Sequence, residues 1–254
     1  MIRATQLLLL FLAQSTTPRE IVQLARIKHD MAGILNKMPD YMCQETVERS
    51  SRQKGVAAFK EVDVLRLDVA FVGGKELFGR RNAGQIDKSH PNSFTGHGVT
   101  SNGEFTGHAR TVFLDGAAAF RYAGSETLDG RAALRWNYTI SSLTSGWTLL
   151  YAGRLAKVAS KGSFWADPES LDLLQLDVEA TEIEADFPIQ ATHLSIGYGR
   201  VQIGTKLILI PQRSDLLVTN ADGTLDRNQV EFSRCREYGA ESAISFDEEP
   251  SVKK

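Results

Sequence analysis

The sequence predicts a mainly β fold of the α+β kind, an antiparallel sheet accompanied by two helices. Three observations predict it. Past Pro39 the apolar residues recur at every second position in several separate runs, the period of a strand with one wet face. Tight-turn pairs such as Gly73-Gly74 and Asp129-Gly130 separate the runs, where a βαβ fold would place helices. Only two segments combine a capping signal with helical spacing.

Size and charge narrow the class. The chain has 254 residues, 42% hydrophobic, 24% charged and 8% aromatic, an ordinary globular mixture. A core of that size needs no metal or disulfide to hold it. Lys and Arg number 29 against 31 Asp and Glu, for a net charge of −2. No long block of like charge occurs, which excludes a nucleic-acid binder relying on a basic field. No apolar run reaches the length of a membrane helix.

The first element is a leader. Residues 1–15 read MIRATQLLLLFLAQS. Arg3 precedes the apolar run 7–13, and Ala13 and Ser15 are small residues at the spacing of a cleavage site. The expectation is export to the periplasm or medium, with cleavage near Ser15 and a mature start at Thr16.

Thr17-Pro18-Arg19-Glu20 then reads as a capping box. Ile21, Leu24, Ile27, Met31, Ile34, Leu35 and Met38 form one apolar stripe at spacings of three and four, so an amphipathic helix follows and stops before Pro39. Strands come next. Leu65, Leu67, Val69 and Phe71 alternate with polar or small residues before Gly73-Gly74. The stretch 79–103 is rich in Gly, Ser, Asn and Pro and reads as a long functional loop. Ser101-Asn102-Gly103-Glu104 is a second capping box, and a helix is expected over 105–120. Leu134, Trp136, Tyr138 and Ile140 mark a further strand, and Leu174, Leu176 and Val178 another. Strands at 216–219 and 229–233 flank the hairpin turn Ala221-Asp222-Gly223. Residues 16–246 form one domain in this reading, and 247–254 a polar tail.

Chemistry is sparse. Cys43 and Cys235 are the only cysteines. They make no C-x-x-C and no zinc site by themselves. In an exported protein they are either one disulfide, which is favoured, or two buried thiols. His97 and His108 each end a Phe-Thr-Gly-His tetrapeptide, but lack the close pairing of metal ligands. Glu45, Glu48, Arg49 and Arg52 read as a solvated sheet face. No nucleophile elbow, Walker A loop or dinucleotide fingerprint is present, so neither catalysis nor a cofactor is expected. Trp136, Tyr138, Trp147, Tyr151, Phe164 and Trp165 concentrate aromatic surface, as core or as the lining of an apolar cavity.

The segment Gly162-Ser163-Phe164-Trp165-Ala166-Asp167-Pro168-Glu169-Ser170, followed by the alternating strand 173–179, resembles the Asp-Pro-Glu hairpin of outer-membrane lipoprotein-sorting proteins. These are the LolA/LolB-like folds, shared by the RseB envelope-stress regulators. Phe187-Pro188-Ile189, the run 196–210 with Pro211, and Asn228-Gln229-Val230-Glu231-Phe232-Ser233 resemble uncharacterised secreted bacterial proteins with that hairpin. The resemblance implies an eleven-strand-like half-barrel whose concave apolar face is covered by the two helices. On that face it places Leu67, Val69, Phe71, Trp136, Tyr138, Leu174 and Leu176, with Phe105, Val112 and Phe113 pointing inward from the covering helix. The implied function is non-enzymatic: a periplasmic protein holding an acyl chain, a lipid or a lipoprotein. The alternative is a protein-interaction module of the envelope with a solid core. A third reading is a secreted hydrolase using the loop histidines.

Overall fold

A computed structural model describes residues 17–239 apart from 89, 96, 97 and 117. The expected leader, the polar tail and His97 lie outside the described residues.

Helix α1 (Arg19–Asn36) forms as expected and buries Ile27, Met31 and Leu35. Its capping box does not form. Pro18 takes the cap position with no side-chain bond, and its carbonyl accepts from the backbone amides of Ile21 and Val22 at 3.1 and 3.4 Å.

Among the described residues twelve strands follow: β1 (Tyr41–Arg52), β2 (Lys60–Val72), β3 (Lys75–Arg80), β4 (Ala119–Leu128), β5 (Arg131–Ile140), β6 (Thr148–Tyr151), β7 (Arg154–Lys157), β8 (Ala159–Ala166), β9 (Leu173–Thr181), β10 (Ile189–Ile203), β11 (Lys206–Asn220) and β12 (Leu225–Glu237). Ten of them form one curved, open antiparallel sheet in the order β3-β2-β1-β12-β11-β10-β9-β8-β5-β4. The pair β6–β7 stands apart as a hairpin. The large sheet therefore has ten strands, not the eleven that the resemblance implied. The last strand inserts beside the first, so β12 pairs with both β1 and β11.

That insertion brings the cysteines together. Cys43 on β1 and Cys235 on β12 form a disulfide with Cα atoms 4.1 Å apart. The register shifts between Met42 and Gln44, and Arg234 beside the bulge sits at φ 49°.

Two sequence expectations need correction. The inserted helix α2 spans only Gly107–Phe113, not 105–120. Phe105 precedes it, and Phe120 lies on β4 opposite Tyr138. The reason is tertiary. The Glu76 carboxylate accepts the backbone amides of Gly103 at 2.7 Å and Thr106 at 3.2 Å, holding the chain in a turn where helix was expected. Beyond α2, Gly116 at φ 70° turns the chain towards β4. Leu174 is the second correction. Trp165 pairs with Gln175 but Ala166 with Leu173, so a bulge displaces Leu174 and gives its core place to Leu173, which is fully buried.

The concave face carries two apolar clusters. One joins α1 and α2 to Trp136, Tyr138, Phe164, Leu176 and the inner residues of β10 and β11. Trp136 stacks on Phe164 at 5.2 Å, and Phe113 meets the same ring edge-on at 5.2 Å. The other gathers Tyr41, Leu67, Val69, Phe71, Phe105 and Phe232. There Phe105 stacks on Tyr41 at 5.1 Å and meets Phe232 edge-on at 4.9 Å.

Candidate functional site

Of the ten residues expected around a hollow, Leu67, Val69, Phe71, Phe105, Val112, Phe113, Trp136, Tyr138 and Leu176 are all buried to 4% exposure or less. They pack against one another in the two clusters. Leu174 is half-buried and outside both. The nine are taken up by the core, and none of the ten lines the larger open volume.

That volume is a cleft of about 1130 Å³ at one end of the sheet. Its floor is strand residues whose side chains point inward: Leu194 opposite Leu216, and Val218 opposite Thr192. The β6–β7 hairpin overhangs it. Ala152 and Gly153 at the tip have φ 47° and 83°, the left-handed pair that a two-residue hairpin turn requires. Leu149 is buried against the core, whereas the cross-strand pair Leu150 and Leu155 stands 53% and 66% exposed at the mouth. The hairpin is tied at both ends. Ser145 Oγ donates to the Val158 carbonyl and accepts from the Trp147 amide at 3.3 Å. Arg154 pairs with Glu184 at 2.6 Å and Asp186 at 3.0 Å, and its guanidinium lies 5.3 Å from the Phe187 ring centroid.

The polar part of the lining is built from His90, Asn92, Ser101 and Asn102 before α2, and from Asn220, Asp222 and Thr224 at the β11–β12 turn. His108 at the start of α2 meets Trp147 edge-on at 5.5 Å. Loss of water around its ring pushes its pKa down to about 4, against a weaker opposing bond to the Asn102 backbone. The ring is therefore neutral at pH 7. The cleft thus combines apolar and hydrogen-bonding residues in one lining. A smaller hollow of about 430 Å³ on the other sheet face is lined by polar strand residues such as Thr46, Glu48 and Arg213.

Behind the polar part of the lining lies a group that the sequence reading missed. Glu45 and Arg49 are 5% and 2% exposed, not on a solvated face. Arg49 donates to Asp63 through Nε at 2.6 Å and Nη2 at 2.5 Å. Buried Glu45 and Glu104 form a carboxyl cluster with half-buried Glu76. Burial pushes the Glu45 pKa well up, with Glu104 and Glu76 adding to it. Burial also raises Glu76, against the backbone amides that lower it. Glu104 is raised to about 7, first by burial and then by Glu76, while a hydrogen bond from Ser101 Oγ opposes the shift. The signal was present in the sequence. Tyr41, Cys43, Glu45, Val47 and Arg49 share one strand face, so Glu45 stands in an apolar register.

Among the described residues, no three His, Cys, Asp or Glu side chains come together as metal ligands. His193 lies 3.5 Å from Glu179 and is 46% exposed.

No protein-family model and no curated protein matches the chain. Solved structures do align with it. A candidate outer membrane lipoprotein-sorting protein domain from Vibrio parahaemolyticus aligns over 85% of this chain and 92% of its own, at 13% identity and a TM-score of 0.41. A DUF1329 family protein from Desulfovibrio piger aligns over 89% of this chain and 95% of its own, at 13% identity and a TM-score of 0.39. Likenesses this distant carry no functional argument, so function has to be read from the chain's own residues.

Proposed function

We propose that the protein is a binding protein of the bacterial envelope that holds the acyl chain of a lipid or lipoprotein in the cleft beneath the β6–β7 hairpin. The observation that carries this reading is the mixed lining. Leu149, Ile189, Leu194, Leu216 and Val218 offer apolar surface, while Asn92, Asn102, Asn220 and Asp226 offer polar partners in the same cleft. A single-chain amphiphile matches both at once. Each methylene buried there is worth about 0.8 kcal/mol. The volume exceeds the upper end of ordinary small-ligand pockets, roughly 1,000 Å³, so a long chain has room. The disulfide supports the envelope assignment, because such bonds persist in oxidising compartments. The expected leader and its cleavage near Ser15 belong to the same proposal. The nine packed residues of the concave face serve as the rigid backing of the site in this reading.

The test is titration with a fluorescent fatty acid, alongside mass spectrometry of protein purified without detergent. Saturable binding is expected in the wild type. Leu150→Asp, at an exposed position of the mouth, is expected to weaken it at least tenfold with unchanged far-ultraviolet circular dichroism. Absence of saturable binding in the wild type, or equal binding in the variant, would reject the cleft as the lipid site.

A second reading has two observations in its favour. The concave face is filled by side chains, and Leu143 beside the hairpin is 85% exposed. An interaction module that docks an envelope protein through the hairpin fits those two facts, and it takes precedence if no acyl probe binds.

A further inference from the structure

The buried carboxyl cluster has a geometry that packing alone does not require. Glu45 comes from β1, Glu76 from β3, and Glu104 from the strap of residues 99–107 that leads into α2. The strap is fastened through this cluster. Glu76 accepts its Gly103 and Thr106 amides, and Ser101 Oγ donates to Glu104. Two further contacts complete the fastening: Phe105 stacks on Tyr41, and Asn228 Nδ2 donates to the Val99 carbonyl at 2.8 Å. Four polar atoms around the cluster are buried without a hydrogen-bond partner among the described residues, namely Tyr41 Oη, Tyr198 Oη, Glu45 Oε2 and Arg81 Nε. The same strap and the first turn of α2 supply Ser101, Asn102 and His108 to the wall of the cleft.

We propose that Glu45 and Glu104 form a proton-operated latch beside the Glu76 anchor: protonated, they hold the strap closed over the sheet, and their ionisation next to the Glu76 carboxylate releases the strap and α2 and widens the cleft. Two or three carboxylates cannot share a desolvated space in their charged forms without strong mutual repulsion. The groups facing them are few. Tyr41 and Tyr198 lie on β1 and β10, and both are held neutral by burial and by these acids. Arg81 beyond β3 reaches the Glu45 backbone carbonyl and Thr46 Oγ1. Arg49 is committed to Asp63, and His108 on α2 is neutral near pH 7. No cation is bonded to any of the three carboxylates among the described residues. The Glu104 pKa of about 7 places the release in the neutral range.

The opening itself is independent of what the cleft binds; only its consequence, release or loading of an acyl chain, rests on the function proposed above. The test therefore uses ligand-free protein. Hydrogen exchange of the peptide covering 99–114 is measured at pH 6 and pH 8, corrected for intrinsic rates, in wild type and Glu104→Gln. Linkage from an ordinary carboxyl to a pKa of about 7 predicts that wild-type protection relative to the variant falls about tenfold between the two pH values. A ratio unchanged with pH overturns the latch. A second readout needs no variant: the Glu104 carboxyl carbon shift in wild-type protein should titrate over the same range as strap protection. A midpoint near 4, or protection that is flat while the carboxyl titrates, overturns it equally. Fatty-acid binding that fails while strap protection follows pH as expected rejects the lipid reading and leaves the latch standing.

Discussion

Reduction of the Cys43–Cys235 bridge isolates one term of the stability. The bond closes a loop of 192 residues. In the chain-entropy treatment such a closure removes about 5 kcal/mol of unfolded-state entropy at 25 °C. That figure is a ceiling, since losses on removing native bridges run at about 2–5 kcal/mol. The native ladder does not depend on the bond, because β1 and β12 pair along most of their length from Tyr41 to Arg52. The effect therefore acts on the unfolded chain, which the bridge keeps compact. The assay is urea unfolding followed by tryptophan fluorescence, with and without reductant, repeated on the Cys43→Ala/Cys235→Ala double variant. A loss of about 3 kcal/mol at a slope of roughly 3 kcal/mol per molar lowers the midpoint by about 1 M. The slope should rise on reduction, because the released chain exposes more surface. Cys43 is fully buried, so the double variant should lose slightly more than reduction alone through the cavity it leaves. A midpoint that moves by less than about 0.3 M in reductant, a change of under 1 kcal/mol at that slope, would refute the reasoning. In that case the bond either is not formed or does not constrain a free loop.

Two further outcomes follow from packing and charge. Gly162→Ala places a methyl against the Asp177 carbonyl and the Tyr138 hydroxyl, and it disturbs the bond from Tyr138 Oη to Asp177 O at 2.8 Å. Overpacking of that kind costs about 1–3 kcal/mol, and thermal unfolding that matches wild type would contradict it. Stability should fall with rising pH through the neutral range. Glu104 is raised from the ordinary carboxyl value to about 7, so the folded state holds the extra proton. Its contribution is complete at acid pH and is lost as pH climbs through 7, about 3 kcal/mol for a shift of that size. His108 is lowered to about 4 and acts in the opposite sense, adding stability between about 4 and the ordinary imidazole value of about 6.5. The two oppose each other below pH 6.5, and Glu45 and Glu76, both raised, act in the same sense as Glu104. Urea midpoints at pH 6 and pH 8 check this. A higher midpoint at pH 8, or the same fall in Glu104→Gln, would contradict the assignment.

What the sequence determined by itself is local. Period-two runs such as 134–140 and 65–71 became β5 and β2 with the expected residues inward, because side-chain alternation is a property of the strand alone. The middle of the apolar stripe, Leu24 to Leu35, became the packed face of α1 for the same kind of reason, while Ile21 stays 54% exposed and Met38 lies past the helix end. Gly73-Gly74 and Ala221-Asp222-Gly223 became hairpin turns, since their backbone freedom and short polar side chains suit the geometry. The tertiary structure decided everything that depends on a distant partner. The Ser101–Glu104 pattern looks like a cap, yet Glu76 from β3 takes the strap's amides and shortens the helix to seven residues. Leu174 keeps the alternation on paper, but the bulge opposite Trp165 and Ala166 moves Leu173 into its place. The inward apolar residues were legible; that they would fill their own hollow was not, because packing density is set by which helices fold back over them. The cleft is assembled from the separate segments 90–92, 98–102, 147–155, 188–194 and 216–226. No single stretch carries it, and only the folded chain brings its apolar and polar residues together.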